Sequence, residues 1–416
     1  MTAANDPRAA VAAAYHPFDL VADPQPFYAI AHGTPVFPCG EIDHWVVTGH
    51  ANVKAILLDP ETFSAANSIT PVSPLCDEAQ RVLRDGDWRL TPALGNNDPP
   101  DHARFRRNVH RAFTPRRIAL LEPFVREVME RAVDRWPCSG RADLVADVLA
   151  ALPARVILRM VGGADDLMPL IQEASRLRIT FVWGRPAEAE QVALAEGMVQ
   201  FWGRLRALVD ERLADPRDDL TSDLLTVRNG DDTVLALDEI ASVLFAFFTA
   251  GHETTSSLLG NAVRLLLREG EAWSRLHAEP ALIPGAVEEV LRFDSPVVSW
   301  RRRTRRATTV AGVAIPAAAQ VLLLLGAANH DPRVFPDPDV FALDRADANR
   351  HLSFGHGIHH CLGASLARME ARVALEVLTG RLPDLRLAEG QLEVLPNISF
   401  RGPRALDVEW GAAAPT

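Results

Sequence analysis

The run Phe354-Gly355-His356-Gly357-Ile358-His359-His360-Cys361-Leu362-Gly363 sets one cysteine and three histidines among three glycines. Leu366, Met369, Val373 and Val377 follow at helical spacing. Cys361 therefore stands at or just before a helix N-terminus, where backbone N–H groups and the dipole favour a thiolate. Gly355, Gly357 and Gly363 carry no side chain, so something large and flat can approach the sulfur closely. A single soft anionic ligand suits a haem iron better than zinc, whose structural sites take four ligands. Three nearby histidines keep zinc as the competing metal, although adjacent His359, His360 and Cys361 can hardly all reach one tetrahedral ion.

Three further groups of residues have chemical potential. Glu253 and Thr254 lie in the polar stretch Thr249-Ala250-Gly251-His252-Glu253-Thr254-Thr255, which interrupts a long apolar helical pattern. A carboxyl beside a hydroxyl inside a buried helix is expensive unless it has a task. The Thr254 hydroxyl can also bond the carbonyl of Ala250, four residues back. His102 and Arg106, after the helix-opening Pro99-Pro100, share one face at i and i+4, where two cations favour an anionic ligand such as a carboxylate. Glu289 and Arg292 form an i,i+3 pair, and Arg301, Arg302, Arg303, Arg305 and Arg306 form a basic run.

The elements that must hold these groups are mostly helices. Apolar spacing predicts amphipathic helices over 118–153 and 188–213, and a central buried helix from Asp238, as N-cap, to about Arg268. Strand-like pieces fall at 44–48, 309–315, 320–325 and 405–410. The sum is mainly α with small β-sheets, an α+β chain, in one large domain over 1–416. A division near 216–223 is the alternative.

Composition narrows the class. The 416 residues carry 48% hydrophobic side chains, 8 Trp and 17 Phe, which excludes intrinsic disorder. A net charge of -11 argues against nucleic acid or an anionic membrane as partner. Lys54 is the only lysine, so nearly all positive charge is arginine. Cys39, Cys76, Cys138 and Cys361 are too scattered for a disulfide scaffold. The short alanine stretch near the start is not a signal-peptide core, and no apolar run approaches the roughly 18 residues of a membrane span. A cytoplasmic monomer is expected.

In this order, the cysteine segment, the Ala250 to Thr255 stretch, the Glu289 and Arg292 pair, and His102 with Arg106 resemble the cytochrome P450 superfamily, in its soluble bacterial branch. The resemblance implies that fold, haem b, and Cys361 as the thiolate ligand of its iron. Phe354, Gly355 and Gly363 would shape the ligand loop, and Ala250 and Gly251 would border the haem. His102, Arg106, Arg302 and His351 match positions that bind the propionates; Arg301 or Arg303 are alternatives to Arg302. Glu253 and Thr254 match the acid and alcohol pair that delivers protons to oxygen. Glu289 and Arg292 match the pair that braces the cysteine segment. Val340 stands where that pair usually has a third partner, an arginine, leaving Arg345 as the candidate replacement.

The implied reaction is monooxygenation, of the kind common in secondary metabolism: hydroxylation, epoxidation or demethylation of a small organic substrate by O2. Oxidative coupling uses the same machinery. Electrons would come from a ferredoxin and an NAD(P)H-driven ferredoxin reductase, because no flavin or iron–sulfur domain is apparent in the chain. Arg104, Arg107, Arg111, Arg116 and Arg117 would receive that acidic donor. By position, the substrate pocket is expected between residues 64–97 and 177–183, including Val182, with Leu244, Phe245, Phe248, Ala250, Val297, Val298, Ser399 and Phe400. This lining is mostly apolar, with Arg176 and Arg178 as exceptions that leave room for an acidic molecule. The alternatives are a haem-thiolate sensor or recruiting platform without turnover, and a zinc-dependent hydrolase.

Overall fold

The computed structural model describes residues 7–388 and 393–411. The alanine stretch near the start is a helix, Pro7–Ala14; the residues before it lie outside the described range.

Eight helices position the chemistry: Asp101–Val109 (α1), Pro115–Val133 (α2), Ala151–Val161 (α3), Met168–Trp183 (α4), Glu188–Ala214 (α5), Leu237–Arg268 (α6), Ile283–Phe293 (α7) and Ala364–Arg381 (α8). The main sheet takes Val36–Cys39 (β1), His44–Val47 (β2), Phe63–Ser64 (β3), Trp300–Thr304 (β4) and Gln320–Leu323 (β5). Its order is β1-β2-β5-β4-β3, with β2 and β5 parallel and every other neighbour antiparallel. Smaller sheets hold the hairpin Thr308–Val310 with Val313–Ile315, and Asp407–Trp410 between Gly140–Asp143 and Arg386–Leu387.

The helix α6 runs unbroken for 32 residues. Its first half, from Ile240 to Phe248, is buried in one apolar cluster with α4 and α5. Its last third, from Leu258 to Leu266, is buried in a second cluster with α2, α7 and α8. The polar Thr249 to Thr255 stretch joins the two. Asp238 is not the N-cap: Ala236 is, and Glu239 accepts its backbone N–H at 2.9 Å. The periodicity over 118–153 also misleads, because Pro137, Ser139 and Gly140 end α2 and admit the Gly140–Asp143 strand before α3 begins.

Candidate active site

The cysteine loop is a tight reversal. Cys361 N donates to Phe354 O at 2.9 Å, and Gly355 N donates to Leu352 O at 2.8 Å. Gly355 and Gly357 have φ of 67° and 71°, the left-handed region that glycine enters freely. A Cβ at Gly357 would stand 2.6 Å from Leu57 O, whereas one at Gly363 would meet nothing within 4 Å.

Cys361 opens onto an internal cavity with about 310 Å3 of room for the centres of water-sized molecules. It is accessible, yet its accessible surface faces this interior, and burial pushes its thiol up. The Gly363 N–H, Arg106, Arg368 and the Ala364 N–H pull in the opposite direction, so the helix-start effect is present but outweighed.

A lining stripe runs along α6 through Ser242, Phe245, Thr249, Ala250, Glu253 and Thr254, at helical spacing. Thr254 Oγ1 donates to Ala250 O at 2.7 Å, the expected back-bond, without breaking the helix. Burial pushes the Glu253 carboxyl up to about 7, against the pull of Arg404 and Arg176. Gly251 also lines the cavity, but a Cβ there would meet Ile157 Cδ1 at 2.7 Å, so its bareness lets α3 pack against α6.

One end of the cavity gathers nitrogen donors that lack partners. Arg302 and Trp300 line it from one face of β4, while Arg301, on the other face, donates to Ser68 O at 3.0 Å. Strand alternation thus selects Arg302 over Arg301 and Arg303. Burial lowers the Arg302 guanidinium to about 10, and among the described residues its only hydrogen bond is to the Arg301 carbonyl. Arg106 also lines the cavity, and its side chain makes no hydrogen bond or ion pair among the described residues. His359 lines the cavity, whereas His102 stands behind it and does not; their rings are tilted, with centroids 4.3 Å apart, and Nε2 of each is buried without a hydrogen-bond partner among the described residues. Burial, Arg302 and His102 drive the His359 imidazole down to about 3.

Below the loop lies the brace. Arg292 grips Glu289 through Nε at 2.7 Å and Nη2 at 2.8 Å, with both side chains fully buried. Arg345 Nε meets the same carboxylate at 3.0 Å and bonds the carbonyls of Pro336, Asp337 and Val340. Arg345 therefore occupies the third place of the brace, which leaves Val340 exposed. Asn329 and Ser353 carry the brace to the loop: Asn329 Oδ1 accepts from Leu352 N at 2.7 Å, and Ser353 Oγ donates to Leu291 O at 2.6 Å.

A family model described as cytochrome P450 matches residues 191–379. The cytochrome P450 monooxygenase PikC of Streptomyces venezuelae is 36% identical over 408 residues, 94% of this chain and 92% of that protein. This chain is a cytochrome P450. The mycinamicin IV hydroxylase/epoxidase of Micromonospora griseorubida is 37% identical over 90% of this chain and 91% of its own length. Among solved structures, the cytochrome P450 CREJ in complex with (4-ethylphenyl) dihydrogen phosphate superposes with a TM-score of 0.93 at 36% identity, covering 95% of this chain and 99% of that one. A cytochrome P450 is a haem-thiolate monooxygenase, so zinc is the wrong metal.

The donor set of this cytochrome P450 fits a haem. One accessible cysteine sulfur faces the cavity, Gly363 leaves open space beside it, and Arg106, Arg302 and His359 line it with donors suited to two carboxylates, with the unpartnered His102 Nε2 just behind His359.

Several expectations need correcting. His351 does not line the cavity; its Nε2 approaches the Glu288 carboxylate at 3.3 Å without hydrogen-bond geometry, and Ser353 N donates to its Nδ1. The histidine beside Arg302 is His359, which loop spacing alone did not single out. Val182, Leu244, Phe248, Val298 and Ser399 do not line the cavity either. Leu244 and Phe248 lie off the α6 stripe, Phe248 against Phe201. Val182 is buried in the core beside Trp183, which does line the cavity. Val297 and Phe400 form a β-bridge and point inward, so their neighbours Val298 and Ser399 point away; Ser399 Oγ meets Ser299 Oγ at 3.1 Å. Residues not anticipated include Ser242, Ile157, Met160, Trp300 and Glu370.

Of the five arginines expected to receive an electron donor, two are engaged. Arg104 forms a double bond pair with Glu239 at 2.8 and 2.7 Å, and Arg117 pairs with Asp223. Arg107, Arg111 and Arg116 are exposed and make no ion pair among the described residues. Among the described residues, no helix is long and apolar enough to cross a membrane.

Proposed function

We propose that this cytochrome P450 inserts one oxygen atom of O2 into a small, mostly hydrophobic molecule by hydroxylation or epoxidation, using electrons from a ferredoxin and its NAD(P)H-driven reductase. The observation that carries the reading is the placement of Glu253 and Thr254 on the cavity stripe of α6, in the same cavity as Cys361. The haem supplies activation of O2 and transfer of one of its oxygen atoms. Cys361 Sγ would hold the iron, and Arg106, Arg302, His102 and His359 would hold the propionates.

The rest is work for the chain. With its hydrogen spent on Ala250 O, Thr254 Oγ1 keeps its lone pairs to accept a hydrogen bond from a water in the cavity. Glu253, near 7, can both hold and release a proton at neutral pH, which is what a proton-relay acid needs. The apolar lining, from Ile157, Met160, Phe245, Val297 and Phe400, keeps bulk water from short-circuiting that relay. Relatives named as monooxygenase and as hydroxylase/epoxidase favour these two reactions over demethylation or coupling.

The test has two steps. The haem-loaded protein, reduced under carbon monoxide, is expected to show the red-shifted Soret band of thiolate-ligated haem, and Cys361→Ala is expected to abolish it. Turnover with NAD(P)H, reductase and ferredoxin should then give an oxygenated product bearing label from 18O2. A thiolate spectrum without any oxygenated product across a substrate panel would replace the enzyme reading with a sensor or recruiting role.

A further inference from the structure

Most fully buried arginines of this chain meet a carboxylate. Arg212 pairs with Asp219, Arg264 and Arg401 with Asp294, and Arg292 with Glu289. Among the described residues three do not: Arg178, Arg301 and Arg302. Arg302 stands at the end of the cavity suited to the propionates, and Arg301 points away from the cavity onto Ser68 O. That leaves Arg178, on α4, as a guanidinium lining the cavity for which neither the described residues nor the cofactor supplies an anion.

Its surroundings are built. Arg178 lies between the rings of Trp183 and Phe245, with its Cζ at 5.5 and 5.4 Å from their centroids. Nη1 donates to Thr249 Oγ1, which itself donates to Phe245 O at 2.7 Å. Nε and Nη2, the edge that grips a carboxylate bidentately, make no hydrogen bond among the described residues. Glu253 lines the same cavity, but the cations acting on it are Arg404 and Arg176, not Arg178. Burial lowers the Arg178 guanidinium only to about 10, so it stays charged at neutral pH. An unpaired charge held this deeply destabilises a fold unless a ligand anion completes it.

We propose that Arg178 is a substrate anchor, and that the preferred substrate carries a carboxylate at one end of an otherwise apolar body. One guanidinium balances one negative charge, which favours a carboxylate over a phosphate monoester dianion. Thr249 and Thr254 are five residues apart on α6, roughly 7–8 Å along the axis. The oxidised carbon should lie about that far from the carboxylate. This inference rests on the cavity being the substrate pocket of a monooxygenase.

The test uses the haem-loaded protein and a series from phenylacetate to 6-phenylhexanoate, each beside its primary amide, with 3-phenylpropyl phosphate as the dianion. Affinities come from calorimetry. At least one carboxylate should bind about tenfold or more tightly than its amide, since charged hydrogen bonds in a dry site are the strong ones. Arg178→Gln should remove that preference and Arg178→Lys retain part of it. Arg178→Gln should not lower the thermal midpoint, because the charge it removes has no ionic partner among the described residues. A wild-type protein that holds no acid better than its amide overturns the proposal, as does an Arg178→Gln variant that keeps the preference. Preference for the phosphate overturns the carboxylate assignment. The carbon monoxide spectrum keeps the two readings separate: its loss strikes the monooxygenase reading, whereas its survival without acid preference strikes only the anchor.

Discussion

At the residue scale the cavity holds two kinds of acid, and their surroundings divide the work. Glu253 has Arg404 and Arg176 within reach and sits near 7, while for Glu370 burial alone pushes the carboxyl up to about 8, and its Oε2 is buried without a partner among the described residues. An acid whose pKa rises on folding keeps its proton in the folded chain while the unfolded chain releases it. Its contribution is therefore fully present below the unfolded value and is lost as pH climbs toward the folded one. For Glu370 that window runs from the ordinary 4.5 to about 8. Glu370→Gln should leave stability nearly unchanged at pH 4.5 and raise it by on the order of 3–5 kcal/mol at pH 9, measured by urea unfolding at both pH values. A constant difference across pH would show the carboxyl to be paired or hydrated. Thr254→Ala makes a different claim. The hydroxyl directs protons rather than holding structure, so NAD(P)H consumption should continue while product formed per NAD(P)H falls several-fold. Undiminished coupling would remove Thr254 from the relay.

At the scale of elements, the cysteine loop and its brace form one mechanical unit. Gly357 combines a left-handed φ with a backbone oxygen 2.6 Å from where a Cβ would stand. Gly357→Ala should therefore cost roughly 1–3 kcal/mol and lower haem occupancy, read as absorbance per protein after purification. Arg345, itself only partly buried, shares the fully buried Glu289 with Arg292, and removing one partner of a buried ion pair costs roughly 3–5 kcal/mol. Arg345→Leu should show that loss in chemical denaturation; a loss below 1 kcal/mol would make Arg292 sufficient alone. The loop was legible in sequence because glycines and a cysteine at fixed spacing leave few conformations. The long α6 was legible from its apolar length, and the strands from their alternation. What failed was direction. A helix that is apolar nearly all round, as from Val243 to Phe248, gives no periodic signal of which residues face a cavity, so Leu244 and Phe248 were taken and Ser242 and Thr249 passed over. The cysteine loop turns back on itself through the Cys361 N to Phe354 O bond. Linear spacing there could not tell His359, which faces Arg302, from His351, which faces Glu288.

At the scale of the whole molecule, a net charge of -11 hides where the positive charge lies. Arg107, near the end of α1, Arg111, on the short turn after it, and Arg116, in the first turn of α2, are exposed and unpaired among the described residues, whereas Arg104 and Arg117 are neutralised by Glu239 and Asp223. These three run from the helix that also carries Arg106 to the cavity, through the turn after it, to the start of α2, so a donor docked on them would sit close to the cofactor. Charge on an exposed patch acts mainly on the encounter rate, and at physiological salt it is screened within about 8 Å. Reversing all three to Glu should slow reduction by ferredoxin roughly 10- to 1,000-fold at low ionic strength, and the deficit should shrink as salt is added. Reversing Arg104 instead should act on stability, because its guanidinium is already committed to Glu239. Stopped-flow reduction at several salt concentrations separates the two. Equal rates for the parent and the triple variant at low salt would place the donor on another face.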